Sequence, residues 1–365
     1  MHLIALLKIE GVGPVIAKNL IAYGKGVQAV FELPPGKLRQ IPDVGPKVAA
    51  GIRNKPALLQ AAEKELAFCQ AEEIRLTTYL DEEYPERLKT IYDAPLLLFQ
   101  KGPLQLNSLP AVAIVGTRKA TPYGRDWAAR FARTFAEAGI NVVSGLAYGI
   151  DITAHQAVLE AGGITTAVVA HGLDDVYPAR HRKEVDRLLE NGAILSEYFE
   201  GTKPKARFFP QRNRILSGLA YGVVVIEAAE KGGALITARM GFEQNREVFA
   251  VPGPLEAPYS KGCNNLIRDN IARLVTDPEE VLQELGLEER SGSGSKAEAV
   301  AITTPLSAEE QKILNYLDLH HPLLLDQLAE KTGLAVQHLV SVLLTLEFKG
   351  QVEQLPGRKF VRKRR

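Results

Sequence analysis

Cysteine is almost missing from this chain: Cys69 and Cys263 are the two in 365 residues. That excludes a disulfide framework, and their separation excludes a cysteine metal site, so a reducing compartment is expected. Excess charge is also missing. Lysine and arginine number 44 against 43 aspartates and glutamates, a formal net charge of +1. A protein that coats a polyanion with its whole surface is excluded, and any such binding must come from local clusters. No apolar run approaches the length of a membrane span. The opening Met1–Leu7 is too short for a secretory segment and runs at once into Lys8 and Glu10, so a cytosolic protein with no membrane insertion is expected. The dinucleotide fingerprint is absent too, since Gly116 is the one glycine of its loop before Gly124. Histidines His155, His171 and His181 are scattered over separate segments and do not make a metal constellation. Neither a cofactor nor a metal is expected.

What is present is an ordinary globular composition, 46% hydrophobic and 24% charged, in a chain long enough for two or three domains. The first segment, 1–76, contains an internal echo. Ile9-Glu10-Gly11-Val12-Gly13-Pro14 and Ile41-Pro42-Asp43-Val44-Gly45-Pro46 each open an apolar helical pattern, like a pair of helix-hairpin-helix (SAM-like) units. Glycine at such a helix start lets backbone amides approach a phosphate, and the same modules also serve as packing elements. A helix over 56–74 leads into an extended linker interrupted by Pro85, Pro95, Pro103 and Pro110.

From Ala111 short apolar runs alternate with helical stretches: Ala111–Val115, Ile140–Val143, Ile164–Val169, Ala193–Leu195, Gly222–Ile226 and Val248–Val251. Buried strands alternating with helices predict an α/β fold, a Rossmann-like, doubly wound, mostly parallel sheet, over 77–286. The segment 287–304 contains Ser291-Gly292-Ser293-Gly294-Ser295 and reads as a flexible linker. The last segment, 305–365, predicts helices over 308–319, 324–331 and 335–349, a turn at Gly333 and a β-ribbon over 351–362, the order of a winged helix. Its third helix offers Gln337, His338 and Ser341 and no cation before Lys349. That favours a protein-interaction module over base reading, while the tail Arg358–Arg365 suits phosphate without sequence preference.

In a doubly wound sheet, ligands sit beyond the carboxyl ends of the strands at the switch point. The loops there are Gly116-Thr117-Arg118-Lys119, with a hydroxyl and two cations, and Ser144-Gly145-Leu146-Ala147-Tyr148-Gly149, whose glycines free amides at a helix start. Tyr177-Pro178-Ala179-Arg180 and Lys231-Gly232-Gly233 follow on later loops. The densest signal is Lys203 to Arg214: Lys203, Lys205, Arg207, Arg212 and Arg214, no acid, and the adjacent rings Phe208 and Phe209. Cations that seek phosphates, interleaved with rings that stack on bases, suit single-stranded nucleic acid. Arg118, Arg180, Arg212 and Arg214 are expected to converge on one rim, beside Phe208 or Phe209.

Val115-Gly116-Thr117-Arg118, Ser144 to Asp151, Phe209-Pro210-Gln211-Arg212-Asn213-Arg214-Ile215, Gly232 to Ala238 and Val251-Pro252-Gly253, in that order, resemble the DprA family, DNA-processing proteins of bacterial natural transformation. The resemblance covers roughly residues 79–285, and the hairpin pair and winged helix also occur in that family. It implies a cytosolic, non-enzymatic protein that binds incoming single-stranded DNA, dimerises through its Rossmann-like domain and helps load RecA. It carries DNA contacts over to Arg118, within a site of Gly116, Thr117, Ser144, Gly145 and Arg180, and to Lys205, Phe208, Arg212, Asn213 and Arg214. The sequence departs from the family pattern at Tyr148, where arginine is common, at His171 and His181, and at Asn270-Ile271-Ala272.

Two other readings use the same fold. A phosphoribohydrolase-like enzyme would cleave the base–ribose bond with a Gly-Gly-x-Gly-Thr turn and a glutamate one helical turn on. Here Gly232-Gly233-Ala234-Leu235-Ile236-Thr237 imitates the turn, but Met240 stands at the glutamate position. Glu227, Glu243 and Asp151 remain as candidate bases, with helix capping or pairing to arginines as the competing role. A nucleotide sensor with the winged helix as output would bind a mononucleotide tightly, without dependence on DNA length.

Overall fold

The computed structural model describes residues 1–288, 307–317, 323–348, 351–355 and 359–362. The expected linker beyond Glu288, and Arg358 and residues 363–365 of the basic tail, lie outside the described residues. The chain divides into two units, Met1–Ser291 and Gly292–Arg365.

Valine- and isoleucine-rich runs become strands because both their faces are covered. In the first unit these are β1 (Arg75–Thr78), β2 (Leu97–Lys101), β3 (Ala111–Val115), β4 (Asn141–Ser144), β5 (Thr165–Val168), β6 (Ala193–Ser196), β7 (Gly222–Val225), β8 (Glu247–Ala250) and β9 (Arg273–Leu274). They form one sheet in the order β1-β2-β6-β5-β4-β3-β7-β8-β9. From β6 to β9 neighbours are parallel, and every residue of β3 to β7 is buried. One face packs on Ile215, Leu216 and Leu219 of the helix Phe208–Leu219. The other packs on Phe131 and Phe135 of the helix Pro122–Glu137 and on Ile150, Ala154 and Val158 of the helix Ile150–Glu160. Chain order reverses between β3 and β7, which puts the switch-point crevice at their carboxyl ends.

The stretch before Ala111, expected within 77–286 as an extended linker, instead carries strands of the sheet. β1 and β2 add to the sheet antiparallel, through β2 on β6, and Tyr84, Leu88, Ile91 and Leu98 lie in the core. The prolines flank the elements here rather than interrupting them, which sheet geometry allows. Arg246, 9% exposed, fastens the segment by donating to Arg87 O at 2.7 Å, Thr90 Oγ1 at 2.9 Å and Gly218 O at 3.1 Å. β1 starts at Arg75, inside the stretch assigned to the helical domain.

In that domain the helices Pro14–Gly24 and Pro46–Ile52 begin where the echo places them, each with Pro in its first turn after a glycine. The long helix runs Lys55–Ala71. The second unit holds helices Ala308–Tyr316, Leu325–Thr332 and Val336–Phe348 and a sheet of β10 (Leu323–Leu324), β11 (Val352–Leu355) and β12 (Lys359–Arg362), in the order β10-β12-β11. Its first helix is closed by a Ser307–Glu310 capping box, and Gly333 at φ 68° ends the second. The sequence pattern merges β10 with the second helix, because two residues carry no period. On the third helix, exposed His338 pairs with Glu309 at 3.0 Å.

His155 is fully buried. Its Nδ1 lies 2.7 Å from Thr165 Oγ1, whose own proton goes to Val142 O at 2.6 Å, so Nδ1 carries the proton and the ring is neutral. Burial foremost, then the nearby His181 and Arg212 charges, depress its pKa from 6.5 to about 3. The folded value lies below the unfolded one, so this contribution to stability is whole above pH 6.5 and is lost as pH falls toward 3. Urea unfolding at pH 5.5 is expected to show a loss of about 1 kcal/mol relative to pH 7.5 from this residue. His155→Gln should flatten that slope, and an unchanged slope would remove His155 as its source.

Candidate nucleic-acid interface

The loop after β3 is clamped from both sides. Thr117 N donates to Glu227 O at 2.7 Å, and Thr117 O accepts from Ile150 N at 3.2 Å. Gly149 holds φ +78°, and a methyl there would strike the backbone of Thr117 and Arg118, so glycine is required on both counts. A side chain at Gly116 would strike Ile150. The clamped loop leaves Arg118 as an exposed cation at the carboxyl edge.

Arg118 Cζ lies 4.9 Å from the ring centre of Phe209, and Phe209 lies 6.1 Å from Tyr177. Together with Gly145, Leu146, Ala147, Tyr148 and Pro178 they line one shallow depression. Tyr148 and Tyr177 are 44% and 43% exposed, and both line this depression. Tyr148 rests edge-on against His181 at 5.0 Å, and His181 Nδ1 is fixed by Leu146 O at 2.9 Å. His171 supports Tyr177 at 6.4 Å. The departures at Tyr148, His171 and His181 thus fall on one wall: two exposed rings and the two buried imidazoles behind them.

A second platform lies at the start of the same helix. Phe208 packs at a tilt of 37° on Tyr198 with centroids 4.7 Å apart, with Arg207 Cζ at 5.1 Å and Lys205 Nζ at 6.0 Å from its ring. The sequence points to Phe208 as the contact, yet Phe209 is the ring beside Arg118. Arg207, Lys205 and Arg180 are exposed. The helices starting at Phe208 and Gly233 have neither a side-chain cap nor an acid in the first turn, so they add positive potential to this edge, whereas the helix starting at Ile150 carries Asp151 in its first turn.

Four expected site residues are turned inward. Ser144 Oγ donates to Ile114 O at 2.6 Å. Asn213 Nδ2 donates to Gly233 O at 3.3 Å. Arg214 grips Glu197 through both Nη atoms at 3.0 and 2.6 Å, and Asp93 through Nε at 2.9 Å. Arg212, 3% exposed, donates to Val168 O and packs with Asp151 under Gly145, where any side chain would collide with both. Burial lowers the Arg212 pKa to about 10 against the pull of Asp151, so it remains a cation at neutral pH. Arg118 and Arg180 are therefore the arginines of the expected rim that face solvent, while Arg212 and Arg214 fasten the loops beneath it. A helical period hides this: three successive residues of one helix look alike as sequence, and the sheet decides which faces in. The sequence places Tyr148 and Tyr177 in carboxyl-edge loops, but single tyrosines carry no pattern that marks them as contacts.

The carboxylates of the enzymatic reading are placed as well. Glu227 accepts from Thr121 N at 2.9 Å and from Thr121 Oγ1 at 2.6 Å, at the start of the helix Pro122–Glu137. Asp151 is buried beside Arg212, and Glu243 ends the helix Gly233–Glu243, away from the carboxyl edge. None of these three lines the depression.

Three family models match this chain: DNA recombination-mediator protein A over residues 75–286, the DprA winged helix domain over 297–358 and the SAM-like helix-hairpin-helix tandem over 3–55. Protein Smf of Escherichia coli is 41% identical over 291 residues, 77% of this chain and 75% of that protein. Protein Smf of Synechocystis is 33% identical over 99% of this chain and 98% of its own. Among solved structures, DNA processing protein A of Streptococcus pneumoniae superposes with a TM-score of 0.64 at 36% identity, covering 78% of this chain and 98% of that one. DNA processing protein A of Helicobacter pylori, described for its single-stranded DNA binding mode, gives a TM-score of 0.53 at 30% identity over 58% of this chain and 95% of that one. With all three regions matched and the nine-stranded sheet and winged helix in place, the chain belongs to the DprA family of DNA recombination mediators.

Proposed function

We propose that this protein binds single-stranded DNA along the carboxyl edge of its sheet and acts, without catalysis, as a cytosolic mediator that shelters the strand and hands it to RecA. The observation that carries the reading is the Arg118–Phe209–Tyr177–Tyr148 depression, open to solvent beside an uncapped helix start. A ring-lined recess of this kind takes a base by stacking, and the cations at its rim take the adjoining phosphates. The direct contacts we assign are Arg118, Arg180, Lys205 and Phe208, joined by Phe209, Tyr148 and Tyr177 and by the backbone at Gly116, Thr117 and Gly145. Ser144, Arg212, Asn213 and Arg214 serve the site by holding its loops. The working units are a helical domain over 1–74, the Rossmann-like domain over 75–286 that begins with β1, a linker over 287–304 and a winged helix over 305–365. Dimerisation through the Rossmann-like domain would double the track. Exposed Phe242 and Leu274, at 54% and 46%, with Leu274 on the edge strand β9, support a contact at that end.

Fluorescence anisotropy of labelled oligonucleotides over a salt series tests the reading, with duplex and mononucleotide arms and sedimentation velocity on the same samples. Single strands are expected to bind best and affinity to rise with length. The logarithm of affinity should fall with log salt by about 0.7 per phosphate contacted, and the sedimenting species should be a dimer. Tight mononucleotide binding with no length dependence would overturn it.

A further inference from the structure

Two polar contacts between the helical domain and the sheet domain land on the segments that hold the basic loop and its helix. Glu65, in the helix Lys55–Ala71, is 2% exposed. Its Oε2 accepts from Lys8 Nζ at 2.7 Å, and its Oε1 accepts from the backbone amide of Glu200 at 2.9 Å. Lys8 also lies 4.2 Å from the ring centre of Phe199, which packs edge-on against Phe99 of β2. At the second contact Lys18, from the helix Pro14–Gly24, donates to Tyr92 O at 3.1 Å. The next residue, Asp93, holds Arg214 of the helix Phe208–Leu219.

Phe199-Glu200 forms the root of the loop whose far end carries Lys205, Arg207 and Phe208. Beyond the root, Asp174 Oδ1 accepts from Gly201 N at 3.0 Å and Thr202 O accepts from Gly172 N at 3.0 Å. Three anchors in a row therefore set the direction in which the exposed cations leave the protein, and the first belongs to the helical domain. A buried carboxylate bound to a cation and to an amide tolerates little displacement of either partner. Moving the helical domain would move Glu200.

We propose that Glu65, with Lys8, is a positioning residue for DNA binding, and that the helical domain braces the basic loop of the sheet domain across their boundary. This rests on the reading that the loop binds single-stranded DNA. The brace explains why a helical domain that supplies none of the assigned contacts is tied to the site by buried charge rather than by apolar packing alone.

The test compares the full-length wild type with Glu65→Ala and Glu65→Gln, below their melting temperatures, by anisotropy with an oligothymidylate and by hydrogen–deuterium exchange of residues 198–207. Glu65→Ala is expected to weaken binding about fivefold and to speed exchange in the loop. Glu65→Gln keeps an acceptor for the Glu200 amide and should restore most of the affinity. The double variant Lys8→Met, Glu65→Leu replaces the buried pair with apolar groups, a change that commonly spares stability, and should lose affinity like Glu65→Ala even if the single variant fails to fold. Wild-type affinity in the double variant, or equal losses in Glu65→Gln and Glu65→Ala, would overturn the proposal. A wild type that does not bind the oligonucleotide would instead overturn the reading on which it rests.

Discussion

Arg214→Ala is expected to lower the stability of the sheet domain by about 3–5 kcal/mol, because it strands a buried carboxylate. Arg214 is the sole cation hydrogen-bonded to Glu197 among the described residues, and the side chains are 8% and 14% exposed. Burial already pushes the Glu197 carboxyl up from its ordinary range, with Arg214 pulling the other way. Once the guanidinium is gone, protonation becomes the cheapest relief, so the deficit of the variant should shrink as pH is lowered. Urea unfolding at two pH values measures both effects. Weakened DNA binding at full stability would instead make Arg214 a contact with the strand, contrary to its placement beneath the rim.

Arg118→Ala should behave in the opposite way. The side chain is exposed and its loop is held by backbone bonds at Thr117, so stability should stay within about 0.5 kcal/mol of wild type, as at most surface sites. Binding should fall by roughly 2 kcal/mol, about thirtyfold, since both a phosphate cation and the face of a stacking platform are lost. The salt slope should fall by about 0.7, the share of one phosphate on a single strand. Because Arg118 sits over Phe209, Phe209→Ala and the double variant should be non-additive with it. An unchanged affinity and slope in Arg118→Ala would take the residue out of the site.

The contrast between these arginines shows how far sequence carries. The alternation of apolar runs from Ala111 onward announces the parallel sheet, because strands covered on both faces cannot hide their composition. The hairpin echo announces the two helix starts at Pro14 and Pro46. Motif order announces the family. Side-chain direction is not legible: Phe208 and Phe209, or Arg212 and Arg214, differ only by where a helix meets its sheet. Nor are β1, too short to carry a period, and β2, which lies between Pro95 and Pro103. The aromatic wall of Tyr148 and Tyr177 is assembled from the ends of β4 and β5, which the chain reaches more than a helix apart. Only the parallel pairing of those strands brings them together.

Successive residues of an α-helix project about 100° apart, given 3.6 residues per turn. Phe208 and Phe209 therefore present their rings in different directions, one beside Tyr198 and the other beside Tyr177. No two neighbouring bases of a regular stack can lie on both rings at once. A strand that occupies both stations is parted between them, which a free strand allows at small cost and a paired, stacked duplex resists. Preference for single strands would then follow from the pitch of one helix, with no residue needed to read sequence.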